Sequence, residues 1–490
     1  MNKFISSVQL DPSLCKGCIN CIKHCPTQAI RVLNGKAVIT DKFCIDCGKC
    51  IRYCPHHAKI PIYDPLSVIK DYKYSVALPA PALYAQFNNI TNVDIVLNAL
   101  LKIGFDDVYE VSAAAELVSE VSRSYIAKHK DEAPFISTAC PTVVRLIRVK
   151  FPTLIPRLLP IKPPVEVCAE IAIQQAMKKT GLPKEDIGII FISPCPSKVT
   201  YAKMPLGIEK SAITNVIAIK DVYPKLLPHM TRDESQLLPL SHSGRIGIGW
   251  ASSGGEVAGL ITDDYLAADG INNVTKVLED LEDEKFHGLS FIELNSCSGG
   301  CVGGVLTVEN PYVAKSKLKI LNRYLPVARN HLSMNSEIDI MWDNTIEYEP
   351  VFRLGNNFSE SLDMMGTVED LTKRFPGLDC GSCGSPTCKA LAEDIVRGNA
   401  TSNDCIYVFR EYLASLSAEI KFLAKAINPS CSKTDESVTI LKDYIEKLTC
   451  ELDNLEDSEH MMLHQKNNES PKKRIPQWRT PAAGTEASHL

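Results

Sequence analysis

The apolar residues of the central part of the chain alternate between short continuous runs and stretches with a helical repeat. Residues 187–192 are apolar at all but one position, which is typical of a strand buried on both faces, and residues 245–249 are interpreted in the same way. Residues 165–179 repeat their apolar positions at helical steps, which predicts a helix. This alternation, from about residue 75 to residue 355, predicts an α/β core.

The C-terminal region has a helical pattern without interleaved strands. Residues 407–459 repeat apolar positions at three- and four-residue steps, so we expect a helical extension. Its later half carries an apolar seam that could pair two chains into a homodimer as a coiled coil, or pack back onto the chain's own core. Residues 460–490 are predicted to be disordered. The seam residues are Ile440, Leu441, Tyr444, Leu448, Leu452 and Leu455.

The chain of 490 residues is long enough for several domains. The patterns predict an α/β multidomain protein, in which a large α/β domain follows a small α+β module and precedes a second small cysteine-rich domain. A proline-rich connector at residues 61–81 separates the first module from the large domain. The expected boundaries are 1–60 for the α+β module, 75–355 for the α/β domain, 360–410 for the second cysteine-rich domain, 411–459 for the helical extension and 460–490 for the tail.

Composition and charge exclude several classes of function. The 53 basic and 58 acidic side chains leave a net charge of -5, which offers no attraction for nucleic acid or for anionic membranes. No run of about 18 apolar residues could span a bilayer, and the N-terminus lacks the pattern of a secretion signal. The 19 cysteines are therefore expected to be reduced in a cytoplasmic protein, whose partners are small molecules or proteins.

Eight cysteines among the first 54 residues form two copies of the spacing C-x2-C-x2-C-x3-C-P. This spacing is that of a bacterial-type two-cluster ferredoxin, in which three thiolates of one repeat and a fourth from the other hold each 4Fe-4S cube. Paired disulfides or zinc sites are the alternative, but zinc patterns use separated C-x2-C pairs. Cluster one is expected to bind Cys15, Cys18, Cys21 and Cys54, and cluster two Cys44, Cys47, Cys50 and Cys25.

A third group of cysteines lies toward the C-terminal end, with the spacing C-x2-C-x4-C-x16-C. Glycines and serines between them favour a loop wrapped around a cluster, and residues 389–397 are predicted to form a helix beneath it. We expect a third peripheral 4Fe-4S cluster, with a zinc site as the alternative. Its ligands would be Cys380, Cys383, Cys388 and Cys405, whereas Cys431 and Cys450 lack partners at ligand spacing.

Four further cysteines lie in three separate loops of the α/β core, each after an apolar run. Cys140 stands in Ser-Thr-Ala-Cys-Pro, Cys195 in Ser-Pro-Cys-Pro-Ser-Lys, and Cys297 and Cys301 in Ser-Cys-Ser-Gly-Gly-Cys-Val-Gly-Gly. Any one of them could be an inert buried thiol. Together, four thiolates from three loops can hold another 4Fe-4S cube, and the glycines allow the backbone to approach a bulky inorganic group.

These three loops, in this order and behind a two-cluster ferredoxin module, resemble the signature motifs of the iron-only hydrogenases. The sequence Gly-Trp-Ala-Ser-Ser-Gly-Gly at residues 249–255 supports the resemblance, which extends over about residues 10–350. It implies an H-cluster, a 4Fe-4S cube joined to a two-iron site with carbon monoxide, cyanide and a bridging dithiolate. The cube ligands would be Cys140, Cys195, Cys297 and Cys301, with Cys301 bridging to the two irons.

The resemblance also assigns residues around the two-iron site. Lys198 would donate a charge-assisted hydrogen bond to a cyanide ligand. The glycines near Cys297 would leave room for the diatomic ligands. The other residues expected to contact the cofactor are Ala139, Pro194, Val167, Cys168, Asn295, Gly300 and Ser253.

Several positions depart from the best-known catalytic members of this family. Ala139 replaces the cysteine that passes protons to the bridging amine of the two-iron site, and alanine cannot relay a proton. Asn295 and Val167 stand where methionines are expected, and Tyr201 where a glutamate is expected. These replacements would change the pocket around the cluster.

Because residue 139 is alanine, the group that would carry protons to the two-iron site is not identified by the motif. Water, Cys168 or Glu170 could carry protons instead, although Cys168 could equally be an inert core thiol. Glu116 and Glu120, four residues apart on one helical face, could also feed protons, or could form a solvated helix face.

Three functions are compatible with these residues. The first is a hydrogenase that interconverts H2 with protons and electrons, exchanges electrons with ferredoxin-type carriers and is loaded by hydrogenase maturation proteins. The second is an H2 sensor with slow turnover, favoured by Ala139 and by the C-terminal cluster, whose spacing resembles a domain of divergent, regulatory family members. The third, an Fe-S assembly scaffold, is less supported because its eukaryotic examples have fewer ferredoxin cysteines. An oxygen-sensitive protein from an anaerobic host is expected.

Overall fold

The computed structural model describes residues 6–231, 233–329 and 338–426, together with residue 447. Apart from residue 447, the predicted seam at 440–455 lies outside these ranges, as do Cys431, Cys450 and the tail at 460–490. Contacts divide the chain into two compact units, Met1–Tyr407 and Val408–Leu490, and the sites discussed below lie in the first.

The strands of the described ranges belong to four sheets. In chain order they are β1 (Val8–Leu10), β2 (Ile30–Leu33), β3 (Lys36–Ile39), β4 (Lys59–Pro61), β5 (Tyr74–Pro79), β6 (Asp107–Val108), β7 (Phe135–Ile136), β8 (Ile187–Ser193), β9 (Asn215–Ala218), β10 (Tyr265–Asp269) and β11 (Phe291–Asn295).

The helices of the described ranges include none that is both long enough and apolar enough to cross a lipid bilayer. The α-helices are α1 (Asn20–Lys23), α2 (Lys49–Arg52), α3 (Asp94–Lys102), α4 (Val111–Lys128), α5 (Pro141–Lys150), α6 (Pro164–Thr180), α7 (Pro196–Lys203), α8 (Ile219–Leu226), α9 (Arg245–Gly249), α10 (Gly255–Leu260), α11 (Ile271–Glu282), α12 (Pro311–Leu321), α13 (Phe358–Arg374), α14 (Cys388–Val396) and α15 (Ile406–Ala426). Short 3-10 helices include Pro81–Gln86, Pro152–Arg157 and Cys301–Gly303.

The N-terminal module is built from two antiparallel strand pairs and two one-turn helices. β1 pairs with β4, and β2 pairs with β3. α1 carries Cys21 and α2 carries Cys50, and both side chains are buried. The duplicated cysteine spacing is therefore accompanied by a duplicated helix, each placing one thiol in the core of the module.

The α/β domain is organised around a four-stranded parallel sheet with the strand order β6-β5-β8-β9. All seven residues of its central strand β8 are buried. Ile190 and Ile192 pack into the core that contains α3 and α8, whereas Ile189 and Phe191 pack into the core that contains α4 and α6. Because side chains alternate along a strand, helices on both faces require the continuous apolar run that the sequence shows.

A second, smaller parallel sheet has the order β10-β11-β7. Its residues Phe135 and Phe291 join the core beneath α4 and α6. Ile136 and Ile292 point into a third core that contains residues of α5 and α11. Helices therefore cover this sheet as well, and the α/β fold predicted from the sequence is confirmed.

The structure confirms β8 and α6 but not every predicted element. Arg245–Gly249, predicted as a strand, is the helix α9. The backbone N–H groups of Gly244 and Gly247 at its start donate to the Glu116 carboxylate, which favours a helix N-terminus. A Cβ on Gly247 would lie 2.0 Å from the Ser112 carbonyl oxygen, so this glycine allows α9 to pack closely on α4.

The second cysteine-rich domain is built on two helices, α13 and α14, that pack against each other. The loop between them carries Cys380 and Cys383, and α14 begins at Cys388, where a helix over residues 389–397 was predicted. The Thr387 side chain caps α14 by accepting a hydrogen bond from the Ala390 N–H at 3.0 Å. α15 is the described beginning of the predicted helical extension.

Candidate metal centre

Each of the three central cysteine loops begins at the carboxyl end of a strand. β7 is followed by Cys140 and α5, β8 by Cys195 and α7, and β11 by the loop with Cys297 and Cys301. β7 and β11 are neighbours in the smaller sheet, whereas β8 is central in the larger one. Because parallel strands direct their carboxyl ends to one edge, the two sheets can bring these loops together.

The four thiols form one group of half-buried side chains. Burial raises the pKa of Cys195, and the neighbouring Cys297, Cys301 and Cys140 raise it further. Burial, followed by Cys140 and Cys301, raises the pKa of Cys297 to about 12. Burial also raises the pKa of Cys301. Cys195, Cys297 and Cys301 therefore favour the thiol form unless positive charge is supplied, as a bound metal or cluster would do.

Lys198 places a positive charge beside this group. α7 begins directly after Cys195, so Lys198 lies in its first turn. Its Nζ donates a hydrogen bond to the carbonyl oxygen of Ala139 at 3.1 Å. Burial lowers the pKa of the ammonium, but the four thiols, with Cys301 first, outweigh this effect and the pKa is raised.

A cavity of about 60 Å³ adjoins the thiol group. Cys301 contributes to its wall, and so does the half-buried, ammonium-bearing side chain of Lys198. Its polar residues also include Glu256, Glu293 and Asn295, whereas most of the wall is apolar, as expected for a ligand site. The other lining residues include Ala139, Pro163, Pro164, Val165, Phe191, Pro194, Trp250 and Ala251.

Two glycines of the third loop bring the backbone closer to its neighbours than any side chain would allow. Gly300 has φ of 91°, and a Cβ there would lie 2.4 Å from the backbone nitrogen of Ser253. A Cβ on Gly304 would lie 2.1 Å from the carbonyl oxygen of Pro194. The contact at Gly304 fixes the loop that carries Cys301 against the loop that carries Cys195.

Four residues assigned by the family resemblance do not line the cavity: Val167, Cys168, Gly300 and Ser253. Val167 and Cys168 are completely buried in α6, and the Cys168 Sγ approaches the carbonyl oxygen of Tyr109 at 3.7 Å. α6 presents Val165 to the cavity instead. Two residues along a helix correspond to a rotation of about 200°, so a helix that presents Val165 turns Val167 away.

Two buried glutamates in the cavity wall were missed by the sequence analysis. Glu256 accepts a hydrogen bond from the Ser137 hydroxyl at 2.6 Å. Glu293 accepts hydrogen bonds from the Gly254 N–H at 2.8 Å and from the Asn295 side chain at 2.7 Å. Burial, followed by the charge of Glu293, raises the pKa of Glu256 to about 8, and burial also raises the pKa of Glu293.

A signal for these glutamates was present in the sequence. Glu293 interrupts the otherwise apolar start of β11, and Glu256 directly follows a pair of glycines at the start of α10. A charged residue within an apolar run is unusual unless it has a partner. A carboxyl group that titrates near neutral pH beside a cavity can hold and release a proton.

The carboxylates considered from the sequence as proton carriers serve other partners. Glu116 is buried and accepts hydrogen bonds from the N–H groups of Gly244 and Arg329, so the expectation of a solvated helix face is wrong for this residue. Glu170 forms an ion pair with Lys162 at 3.0 Å. Neither glutamate lines the cavity.

The N-terminal cysteines form two groups, each of which combines both repeats. In the first group, the four cysteines line a common cavity. In the second group, burial raises the pKa of Cys21, and the other three cysteines raise it further. All described cysteines are free thiols. The first group is Cys25, Cys44, Cys47 and Cys50, and the second is Cys21, Cys18, Cys15 and Cys54.

The C-terminal cysteines are also brought together. Cys380, Cys383, Cys388 and Cys405 line one small cavity. Within the described ranges, no three His, Cys, Asp or Glu side chains are close enough to bind a single metal ion. A cube needs more widely spaced thiols than one zinc ion, because four iron atoms separate them.

The second N-terminal repeat faces the central cysteine loops. Arg52 Nη2 donates a hydrogen bond to the carbonyl oxygen of Gly303 at 2.5 Å. A Cβ on Gly48 would lie 2.7 Å from a methyl group of Val305. The repeat that carries Cys50 is therefore packed directly against the loop that follows Cys301.

Comparison with protein families gives three matches. Residues 73–235 and 251–305 match the iron only hydrogenase large subunit, C-terminal domain. Residues 7–55 match the 4Fe-4S dicluster domain, and residues 375–407 match an Fe-S cluster family. The matches cover the three central loops and all the N-terminal and C-terminal cysteine groups.

Individual relatives are distant. The NADP-reducing hydrogenase subunit HndD of Solidesulfovibrio fructosivorans is 22% identical over 256 residues, which cover 42% of this chain and 44% of the relative. One component of an ion-translocating oxidoreductase complex of Rhodobacter capsulatus is 47% identical over 38 residues, which cover 8% of this chain and 20% of the relative. The chain thus spans less than half the length of these curated relatives.

Among solved structures, a variant of the FeFe-hydrogenase HydA1 from Chlamydomonas reinhardtii aligns with a TM-score of 0.42 and 16% identity, over 53% of this chain and 87% of that one. The family match is more informative, because it includes Cys140, Cys195, Cys297, Cys301 and the cavity beside them. Residues 73–235 and 251–305 of this chain are thus an iron only hydrogenase large subunit, C-terminal domain.

Proposed function

We propose that the protein is a hydrogenase that reversibly converts two protons and two electrons into H2. The observation that carries the proposal is the mostly apolar cavity at Cys301, whose wall also includes the half-buried Lys198. Four thiols, an ammonium and a space of about 60 Å³ form a chemically suitable site for an H-cluster. When bound, the H-cluster supplies the redox chemistry of hydrogen.

Four cysteine sets would hold the iron–sulfur cofactors. Cys140, Cys195, Cys297 and Cys301 would hold the cube of the H-cluster, with Cys301 bridging to the two-iron site because it reaches the cavity wall. The three peripheral 4Fe-4S clusters would be held by the two N-terminal groups and by the C-terminal group. The ligands of the peripheral clusters are Cys15, Cys18, Cys21 and Cys54, then Cys25, Cys44, Cys47 and Cys50, then Cys380, Cys383, Cys388 and Cys405.

Lys198 and the two buried glutamates are the residues that would act on the cofactor and its protons. The ammonium of Lys198 would bind an anionic cyanide ligand, since few other donors line the cavity. Glu256, whose pKa burial raises to about 8, would hold a proton at its carboxyl group at neutral pH, and Glu293 would accept it or replace it. This pair would substitute for the thiol that is absent at Ala139.

Electrons would come from a ferredoxin or a similar carrier, and the two-iron site from hydrogenase maturation proteins. The N-terminal module supports the first expectation, because its second repeat packs against the loop after Cys301. The carrier and the N-terminal module would both use one-electron transfer between iron–sulfur clusters.

The test is a hydrogen-evolution assay on anaerobically purified protein matured with the two-iron cofactor, run beside its infrared spectrum. We expect bands of metal-bound carbon monoxide and cyanide together with H2 production. A protein that has all four cubes but lacks the bands after maturation would contradict the proposal and would support an assembly scaffold.

A sensory role is the second candidate, and Ala139 is the observation that favours it. This residue lines the cavity and offers no acidic proton, so proton delivery depends on the buried glutamates alone. Intact infrared bands with turnover too slow for metabolism, together with H2-dependent reduction of the peripheral clusters, would identify a sensor.

A further inference from the structure

The C-terminal cysteine loop, residues 380–388, is docked on the N-terminal module. The Val32 N–H in β2 donates a hydrogen bond to the carbonyl oxygen of Gly384 at 2.9 Å. A Cβ on Gly384 would lie 2.0 Å from the Val32 carbonyl oxygen, so only glycine fits directly after Cys383. The contact thus begins at the residue next to a cluster thiol.

An ion pair with two contacts fixes the same interface. Arg31 Nε lies 2.5 Å and Nη2 lies 3.1 Å from the two carboxylate oxygens of Asp394 in α14. The two side chains are only 14% and 13% exposed. Asp394 also accepts a hydrogen bond from the Ser385 hydroxyl at 3.0 Å, so the same carboxylate orients the loop.

The face of the N-terminal module that meets the loop is the one that carries the cluster-one cysteines. A Cβ on Gly381 would lie 3.1 Å from the Lys23 side chain and 3.4 Å from that of Ile22. Both residues belong to α1, as does Cys21, and Lys23 Nζ donates to the Pro386 carbonyl oxygen at 3.0 Å. One layer of side chains therefore separates the loop from a cluster-one ligand.

Other residues of the module contact the catalytic domain. Arg52 bonds to Gly303, and Lys49 donates to the side chain of Asn272 at 3.0 Å. Both basic residues lie in α2, in the repeat that supplies three ligands of cluster two. The C-terminal loop and the catalytic loops thus contact different repeats of the same module.

From this arrangement we propose that the C-terminal cluster is the outer end of a linear electron path, in the order C-terminal cluster, cluster one, cluster two, catalytic cube. The proposal rests on the function proposed above. A reduced one-electron iron–sulfur carrier is oxidised at the C-terminal loop, and the electron then passes inward, leaving each cluster oxidised again. Two such electrons and two protons form one H2. The carrier therefore docks beside the C-terminal cluster, where residues 376–379 and Ser382 are exposed, and not at cluster one.

The first test uses the anaerobically reduced full-length protein and electron paramagnetic resonance. Cys383→Ser should remove about four iron atoms and leave the other clusters in place. We expect the spin relaxation of cluster one to slow in this variant, because one of its two paramagnetic neighbours is gone. An unchanged cluster-one signal, with the four irons lost, would overturn the linear order.

The second test measures the rate at which the N-terminal clusters are reduced, by rapid mixing with a purified reduced two-cluster ferredoxin or with a small viologen radical. Cys383→Ser should slow reduction by the ferredoxin roughly tenfold or more, because a specific docking site sets the association rate. It should leave reduction by the viologen unchanged. Equal ferredoxin rates in the wild type and the variant would overturn the proposal.

A further pair of variants tests the docking contacts without removing a cysteine. Arg31→Gln breaks the ion pair with Asp394 and should slow ferredoxin-driven reduction while the iron content is kept. Lys42→Gln removes a charge from an exposed site of the same module and should have no effect. If Cys383→Ser keeps the full iron content, the proposed C-terminal cluster itself is refuted. If the iron is lost but the rates are equal, only the path is refuted.

Discussion

Arg145 Nη1 lies 3.0 Å from Asp46 Oδ2, and the two side chains are only 6% and 0% exposed. Asp46 stands between Cys44 and Cys47 in the N-terminal module, whereas Arg145 lies in α5, the helix that follows Cys140. This ion pair therefore joins the loop of cluster two to the helix that positions a ligand of the catalytic cube.

Asp46→Asn is expected to destabilise the protein by about 3–5 kcal/mol, because Arg145 would remain buried without its carboxylate partner. The midpoint of anaerobic thermal unfolding measures the effect. Lys73→Gln is the matched control, since it breaks the exposed Lys73–Asp186 pair and should cost less than about 1 kcal/mol. A similar loss of unfolding free energy in both variants would contradict the expectation that the buried pair stabilises the protein more than the exposed pair.

Gly300→Ala should prevent the third cysteine loop from packing. Its Cβ would lie 2.4 Å from the Ser253 backbone nitrogen, in addition to the strain of φ at 91°. Gly254→Ala is the control, because Gly254 has φ of 85° but nothing within 4 Å of the added atom. We expect the iron content of the catalytic site to fall in Gly300→Ala and to stay near the wild-type value in Gly254→Ala. Equal iron contents would contradict the steric explanation.

Lys198→Met should leave the catalytic cube in place but weaken retention of the two-iron site. Methionine keeps much of the apolar volume and removes the ammonium, and losing a hydrogen bond to a charged group costs about 1.5–3 kcal/mol, or roughly tenfold to a hundredfold in retention. The ratio of infrared band intensity to iron content measures it. Lys315→Met, which removes a lysine bonded to the Ser253 carbonyl oxygen outside the cavity wall, should keep the bands. Full bands in Lys198→Met would refute this role.

Glu256→Gln should lower the rate of H2 evolution by about a hundredfold or more, because glutamine is similar in shape but cannot release a proton. The infrared bands should remain, which separates proton transfer from cofactor loading. Glu170→Gln is the control, since Glu170 lies outside the cavity wall and pairs with Lys162. If Glu170→Gln slowed H2 evolution and Glu256→Gln did not, proton transfer through Glu256 would be contradicted.

The pKa of Glu256, raised to about 8 chiefly by burial, also predicts how stability depends on pH. Between the ordinary carboxyl pKa and about pH 8, the folded protein holds a proton that the unfolded chain has released. The free energy of unfolding should therefore fall as the pH rises through this window, by at most about 1.4 kcal/mol per pH unit from this group. Unfolding measured from pH 5 to 8 should show a smaller slope in Glu256→Gln, and an identical slope would contradict the assignment.

The local features of this chain were readable from its sequence. The spacing of the N-terminal cysteines predicted which fourth cysteine joins each triplet, and the groupings around Cys25 and Cys21 match that expectation. The continuous apolar run of β8 predicted a strand covered on both faces. Both succeed because ligand spacing and side-chain alternation depend on residues close together in the chain.

Predictions that depended on distant contacts were less successful. Arg245–Gly249 has the alternation of a strand, but Gly247 packs on the Ser112 backbone of α4 and the segment becomes helical. Val167 was assigned to the cofactor by the family resemblance, whereas α6 presents Val165 to the cavity. The pattern of residues along one helix or strand does not indicate which of its faces a distant segment will cover.

The amino-acid sequence was sufficient to predict iron–sulfur chemistry, because twelve cysteines have the local spacing of cluster ligands and four more stand in motifs that resemble a known family. The tertiary structure decided what surrounds those cysteines. It placed Glu256 and Glu293 in the wall of one cavity and set the C-terminal loop against α1 through Arg31 and Asp394. These relationships join residues from 37 to 363 positions apart, and only packing of the whole domain brings such residues within hydrogen-bonding or van der Waals distance.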